Sequence, residues 1–121
     1  MNKQEMIELL KTDVNKFNVE RLDGLIDLRN VNLHGADLRN ADLHGADLHG
    51  ANLDFSVFTL WCGSFDMKVD IRLVYQLCYH ICRLKIINKN GTESKMGKVI
   101  QSILKPYANK FHRVTECGKI K

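Results

Sequence analysis

The chain has 121 residues, 45% hydrophobic and 26% charged, with a net charge of +4. That length suffices for one domain with a modest core, and no apolar run is long enough to cross a membrane. The N-terminus, MNKQEMIELLKTD, lacks the apolar core of a signal peptide, so the expectation is a cytoplasmic protein that stays off membranes.

Four cysteines in that setting read as reduced thiols or metal ligands before disulfides. The charge is uneven. Residues 22–60 carry two basic and six acidic side chains, whereas residues 61–121 carry twelve basic and four acidic. A net +8 over the C-terminal half suits an acidic protein surface or nucleic acid, against the plainer reading of a solvated lysine-rich face.

In chain order, residues 3–17 place Met6, Ile7, Leu10, Val14 and Phe17 near one face of a helix. Residues 1–25 are expected to form a helical cap. From Ile26 the sequence reads IDLRN, VNLHG, ADLRN, ADLHG, ADLHG, ANLDF, SVFTL: seven consecutive five-residue units. The central position holds Leu28, Leu33, Leu38, Leu43, Leu48 and Leu53, then Phe58. The position two before it holds Ile26, Val31, Ala36, Ala41, Ala46, Ala51 and Ser56. A period of five fits neither the 3.6 of a helix nor the 2 of a strand. A chain that turns a corner every five residues keeps those two positions inside.

These units resemble the pentapeptide-repeat family, with its A(D/N)LXX motif. The resemblance implies a β-solenoid plus α fold: a short right-handed quadrilateral β-helix over 26–60, closed by the N-terminal helix and a C-terminal helical region. In that family four units make one square turn. Leu28 is then expected under Leu48, Leu33 under Leu53, Leu38 under Phe58, and Asp27 next to Asp47. The Asp and Asn before each Leu can accept backbone N–H groups at the corners. Fewer than two full turns cannot bury a core alone, so both ends need caps.

Residues 61–121 are expected to be a helical region packed on the last turn, all within a single folding unit. Gly63 falls at the next central position and stops the repeat, with Trp61 as an anchor. Asp70 can cap a helix over 71–86, Asn90-Gly91 is a turn, and Thr92 can cap a second helix. That second helix is expected to bury Met96, Val99, Ile100, Ile103 and Leu104, with Pro106 kinking it or starting a short last helix. WCGS, YH and FHRVTECG together resemble a region that follows pentapeptide repeats in small bacteriophage and prophage proteins.

Cys62, His80, His112 and Cys117 are residue types suited to zinc, at separations unlike a compact zinc finger. The alternative is a packed His80 with Cys62 and Cys117 as small apolar groups. A Cys–His catalytic pair among them lacks any visible oxyanion hole or orienting carboxylate. No phosphate-binding, dinucleotide or hydrolase motif is present. The expected function is a non-enzymatic interaction module, a phage or mobile-element accessory protein that binds and modulates a host protein such as a defence system, as monomer or homodimer. Arg29, His34, Arg39, His49 and Asp54 on the repeat, with Lys95 and Lys98, are the candidate contacts. The alternatives are a nucleic-acid-associated protein using the basic half, and a zinc- or thiol-dependent site at the Cys/His set.

Overall fold

The leucine–alanine periodicity folds as the spacing demands. The computed structural model describes residues 1–21, 26–57 and 60–121. Leu28, Leu33, Leu38, Leu43 and Leu48 are buried, and so are Ile26, Val31, Ala36, Ala41 and Ala46. Parallel bridges join Asp27 to Asp47, Asn32 to Asn52 and Asp37 to Val57, each 20 residues apart. Backbone bonds follow the same register: Leu28 N–H donates to Asp47 O (2.9 Å), Leu33 to Asn52 O (2.9 Å) and Leu38 to Val57 O (2.8 Å). The expected β-helix is not built from strands, however. Among the described residues there is no strand or sheet, and the regular elements are five α-helices and one short 3-10 turn. The reason is the unit length. A five-residue unit offers at most one bridging residue and then turns, with Asn30, Gly35, Gly45, Gly50 and Phe55 at positive φ, so pairing never propagates along an edge. Leu22–Leu25, Phe58 and Thr59, including the anticipated Leu38–Phe58 stack, lie outside the described residues.

Contacts divide the chain into two compact units, Met1–Asp70 and Ile71–Lys121. In the first, the single N-terminal helix anticipated from the sequence is two: α1, Lys3–Thr12, and α2, Val14–Glu20. Asp13 causes the break. Its non-helical backbone (φ −151°, ψ 80°) ends α1 while its carboxylate accepts from Lys16 N–H (3.1 Å) to start α2. Met6, Leu10 and Phe17 are buried, as their spacing predicts. From α2 and its C-cap, two side chains meet the Asn40–His44 edge of the ladder. Asn18 Oδ1 accepts from Asp42 N–H (2.8 Å), and Asn18 Nδ2 donates to Asn40 O (2.8 Å). Arg21 donates through Nη1 to the Asp42 carbonyl and carboxylate (3.1 Å to Oδ1), and through Nη2 to His44 O (2.7 Å). One turn on, the carbonyls of this edge are served by backbone instead, Gly63 O by Leu43 N–H (2.8 Å) and Phe65 O by Gly45 N–H (3.0 Å).

At the other end, residues 61–70 add to the ladder rather than beginning a helical region. Leu43 N–H donates to Gly63 O and Leu48 N–H to Lys68 O (both 2.8 Å). The Asp47–Lys68 bridge spans 21 residues where the others span 20. One extra residue between Val57 and Gly63 has shifted the register, so Gly63 stands opposite Asp42 and not at a central position as the count of fives predicts. Cys62–Ser64 forms a 3-10 turn, and a Cβ on Gly63 would meet the Trp61 ring at 2.5 Å and Ala41 O at 2.8 Å. The Ala41 carbonyl is backbone and cannot yield. Gly63→Ala should therefore destabilise the first unit by about 1–3 kcal/mol, read as a lower denaturation midpoint in Trp61 fluorescence. The ladder closes on a side chain, since Gly50 N–H donates to the Asp70 carboxylate (2.5 Å).

The second unit is an antiparallel helix pair. α3, Ile71–Cys82, stops four residues earlier than predicted, and α4 runs over Lys95–Ala108. Between them Asn90-Gly91 forms the anticipated turn, with Ile87 bridged to Glu93 and Gly91 at φ 86. Ser94, not Thr92, caps α4, its Oγ accepting from Gly97 N–H (2.9 Å). Thr92 is held in the turn by Asn90 Oδ1 (2.6 Å). Pro106 lies inside the last turn of α4. α5, Val114–Cys117, follows. Cys78, Tyr79, Ala108 and Phe111 form the core. Tyr79 Oη donates to Gly118 O (2.6 Å), and Asn109 exchanges two hydrogen bonds with the Ile120 backbone (2.7 and 3.0 Å), tying down the C-terminal tail.

Candidate interaction surface

On the repeat, every Asp or Asn before a central Leu turns back on its own unit. Its side-chain oxygen accepts the N–H two residues on: Asp27 from Arg29, Asn32 from His34, Asp37 from Arg39, Asp42 from His44, Asp47 from His49 and Asn52 from Asp54, all within 3.0–3.3 Å. These are the corner bonds anticipated from the motif. The same carboxylates also hold the charged tips. Arg29 forks onto both oxygens of Asp27 (2.9 and 3.0 Å), Arg39 pairs with Asp37 (3.0 Å), and His49 Nδ1 lies 2.9 Å from Asp47. His34 packs its ring on Phe55, with centroids 5.0 Å apart. Asp54 accepts Gly35 N–H through its carbonyl (2.9 Å). Arg29 and His49 therefore spend their polar groups locally and not on each other.

This pairing sets a pH dependence. The Arg29 side chain, helped by its backbone N–H, holds the Asp27 carboxyl far below the usual carboxylate range. Burial works to raise Asp47, but the His49 backbone and ring bonds together outweigh it and Asp47 is also lowered. A carboxyl lowered in the folded state adds stability above its unfolded pKa of about 4 and loses it as pH falls through the folded value. The first unit should therefore be insensitive to these carboxylates at pH 5 and above and should weaken steadily below pH 4. Asp27→Asn, which keeps the corner acceptor as Asn32 does, should flatten that acid slope. Trp61-monitored denaturation across pH 2–6 measures it.

The second unit presents a different surface. It carries eleven basic and two acidic side chains. Both acids are engaged, Glu93 with Lys98 (2.7 Å) and Glu116 with Arg113 (2.6 Å). Lys95 has no ion-pair partner among the described residues. The helix α4 departs from its predicted core face. Met96, Val99, Ile100 and Ile103 are 65, 50, 43 and 63% exposed. Gly97 and Ala108 are buried instead, with Leu104 packed on the core. The small Gly97 permits this, since a Cβ there would strike Ile86. The hairpin thus closes on α4's small-residue side and leaves its large apolar side outward. On α3, Val74 and Leu77 are also exposed.

Of the predicted zinc set, Cys62 lies in the first unit, and His80, His112 and Cys117 in the second. Cys62 and Cys117 are exposed. His80 and His112 both contact the Phe111 ring, at 6.4 and 4.9 Å between centroids. Among the described residues no group of three or more His, Cys, Asp or Glu is placed to hold a metal ion. Burial, with Cys78 alongside, pushes the Cys82 thiol up, and its Sγ donates to Gln101 O (3.4 Å). That is the setting of an unreactive packing cysteine. No helix among the described residues is long and apolar enough to cross a membrane.

Asn18, Arg21 and the outward turn of α4 lie outside what the sequence led one to expect. The first two lie outside the repeat, and no periodicity marks them. The third had a signal: α3 and α4 each carry an apolar arc wider than one neighbouring helix can cover.

Residues 26–59 match the family of pentapeptide repeats, in eight copies. Comparison with curated proteins and with solved structures returned no match.

Proposed function

We propose that this chain is a non-enzymatic protein-interaction module, an accessory protein of a bacteriophage or other mobile element that binds and modulates a host protein in the cytoplasm. In this reading the ladder of residues 20 apart is a short right-handed quadrilateral β-helix serving as a rigid support. Its matched repeats favour binding over catalysis, since repeat arrays of this kind offer ordered faces and no enclosed reaction site. The observation that carries the reading is the contrast between the two units. The described repeat arginines are paired within their own units, whereas the second unit combines uncovered apolar side chains with a large excess of positive charge. Exposed contiguous apolar surface on a soluble chain marks an interaction site. The mobile-element origin is supported by the resemblance of WCGS, YH and FHRVTECG.

The excess charge also favours a second reading, binding to nucleic acid, and one experiment separates the two. Tagged protein is captured from a bacterial lysate with and without nuclease, and the co-purifying material is identified. One dominant protein that survives nuclease supports the interaction module. Recovery that vanishes with nuclease, and weakens steeply with salt, transfers the function to the basic surface and nucleic acid.

A further inference from the structure

The outward side chains of α3 and α4 sort onto two opposite sides of the hairpin. At about 100° per residue, Met96, Val99, Ile100 and Ile103 centre about 110° to one side of the covered Gly97, Leu104 and Ala108, and Lys98 and Lys105 about 90° to the other. On α3, Val74 and Leu77 centre about 115° to one side of the covered Cys78, Tyr79 and Cys82, and Arg83 about 90° to the other. Arg83 stands just past the end of α3, but its N–H still bonds to Tyr79 O (3.1 Å), so it keeps the helical path. The two helices are antiparallel: Cys82 bonds to Gln101 O, Tyr79 stacks on Phe111 at 5.1 Å, and Tyr75 lies under Lys110 at 5.6 Å. Facing antiparallel helices wind in opposite senses when viewed down the pair, so equal rotations lead to the same side. One side of the hairpin is therefore apolar and the opposite side basic. Gln101 joins the basic side across the two helices. It lies on α4 between Lys98 and Lys105, and its Nε2 donates to Ile81 O and Leu84 O (both 2.8 Å), which brings Arg83 alongside that row.

We propose that this basic side holds the phosphate backbone of a nucleic-acid duplex without reading its sequence, a statement that rests on the second reading above and gives it a place. Lys98 and Lys105 stand about 10 Å apart along α4, with Arg83 on the neighbouring helix. From Arg83 to Lys105 the chain carries six basic residues and one acid, Glu93, which is paired with Lys98. Arg83 and Lys105 have no ion-pair partner among the described residues. Cations gathered in this way repel one another, and a polyanion relieves the repulsion while releasing its own counterions. The arrangement also selects among polyanions. Lying on a lipid surface calls for apolar and basic residues that adjoin on a helix, and on α4 they are about 160° apart. The core of a protein interface is poor in lysine and built on aromatic or apolar anchors, and Val74, Leu77, Val99, Ile100 and Ile103 lie on the opposite side. Single strands call for aromatic platforms. Here Tyr79 is buried, Tyr107 turns toward the apolar side and Tyr75 lies under Lys110. Backbone contact to a duplex is what this side chain set fits.

The test uses the full chain and fluorescence anisotropy with labelled duplexes of about 20 base pairs. Two DNA duplexes of unrelated sequence should bind alike, within about twofold, and more tightly than a single strand of the same length. An RNA duplex beside them shows which backbone is preferred. Affinity should fall steeply with salt, and Lys105→Gln or Arg83→Gln should each lower the slope of log affinity against log salt by about one. Arg83→Gln/Lys98→Gln/Lys105→Gln should weaken binding at least tenfold, with unchanged tyrosine-monitored melting to show that the second unit is intact. Lys3→Gln/Lys11→Gln/Lys16→Gln removes the same three charges from the first unit and should change binding far less. So should Ile100→Ser/Ile103→Ser on the opposite side. Equal weakening by the two triple variants would mean that net charge alone binds, and overturns the proposal. So does tighter binding of the single strand, or a salt-insensitive affinity. Polyglutamate or anionic vesicles bound as tightly as the duplex, and lost in the Arg83 triple variant, would assign the side to an acidic protein or a lipid surface and overturn it equally. If no duplex binds while nuclease-sensitive material is still captured from lysate, the assignment of this side to a duplex is wrong and the nucleic-acid reading stands. If both fail, the nucleic-acid reading falls with it.

Discussion

Arg21→Met should lower the stability of the first unit by about 3 kcal/mol. Its side chain is only 7% exposed and holds the Asp42 carbonyl, the Asp42 carboxylate and the His44 carbonyl together. Methionine keeps the bulk and removes every donor. Breaking a buried charged pair from one side costs about 3–5 kcal/mol, and the lower end applies because the Asp42 side chain is partly open to water. Arg21→Lys should fall between, since a lysine keeps the charge but cannot fork onto acceptors at both Asp42 and His44. Trp61 is the one tryptophan and lies in the first unit, while Tyr75, Tyr79 and Tyr107 all lie in the second. Denaturation followed by tryptophan emission thus reads the first unit separately. An unchanged tryptophan midpoint would show that Arg21 is not the cap described.

A loss of similar size, about 3 kcal/mol, is expected for Leu33→Ala. Leu33 is fully buried, in register with Leu53 through the Asn32–Asn52 bridge. Large-to-small changes at such sites cost about 2–5 kcal/mol because the cavity collapses only in part. Here relaxation is hindered further, since the backbone on both sides is pinned by ladder bonds: Leu33 N–H to Asn52 O and Ala36 N–H to Leu33 O. Val57→Ala is the control. Val57 occupies the same ladder but is exposed, so its change should stay within about 0.5 kcal/mol. Equal losses for the two variants would mean that the leucine stack does not dominate the unit's stability.

What the sequence made legible is what repeats. Buried Leu and Ala positions and corner bonds from Asp and Asn follow from one five-residue rule applied over 26–57, and the 20-residue register from the family resemblance, in which four units make one turn. The rule could not show that the ladder continues without the motif. Residues 61–70 keep the backbone bonds while abandoning the side-chain pattern, and the inserted residue makes a count of fives misplace Gly63. Nor could it show Asn18 and Arg21, whose role depends on where α2 ends in space. On the second unit, periodicity located α3, α4 and the Asn90-Gly91 turn. It misassigned the inward side of α4, because apolar periodicity marks a face that avoids water and not which of two apolar faces the neighbour takes. Gly97 decided that, by allowing Ile86 a close approach.

The register of the ladder also makes length a quantised property of this molecule. Each 20-residue interval returns the chain to the same bonding edge, so an added copy of residues 31–50 placed after Gly50 would meet Asn18 and Arg21 below and Lys68 and Asp70 above without changing either contact type. Five or ten added residues would present a different edge to the closing segment, and Asp70 would no longer find an amide at the position of Gly50. The 20-residue insertion should therefore keep the native tryptophan emission, and the five-residue insertion should lose it. Extension in such a chain proceeds by whole turns or not at all, and the extra residue between Val57 and Gly63 marks the place where that counting stops.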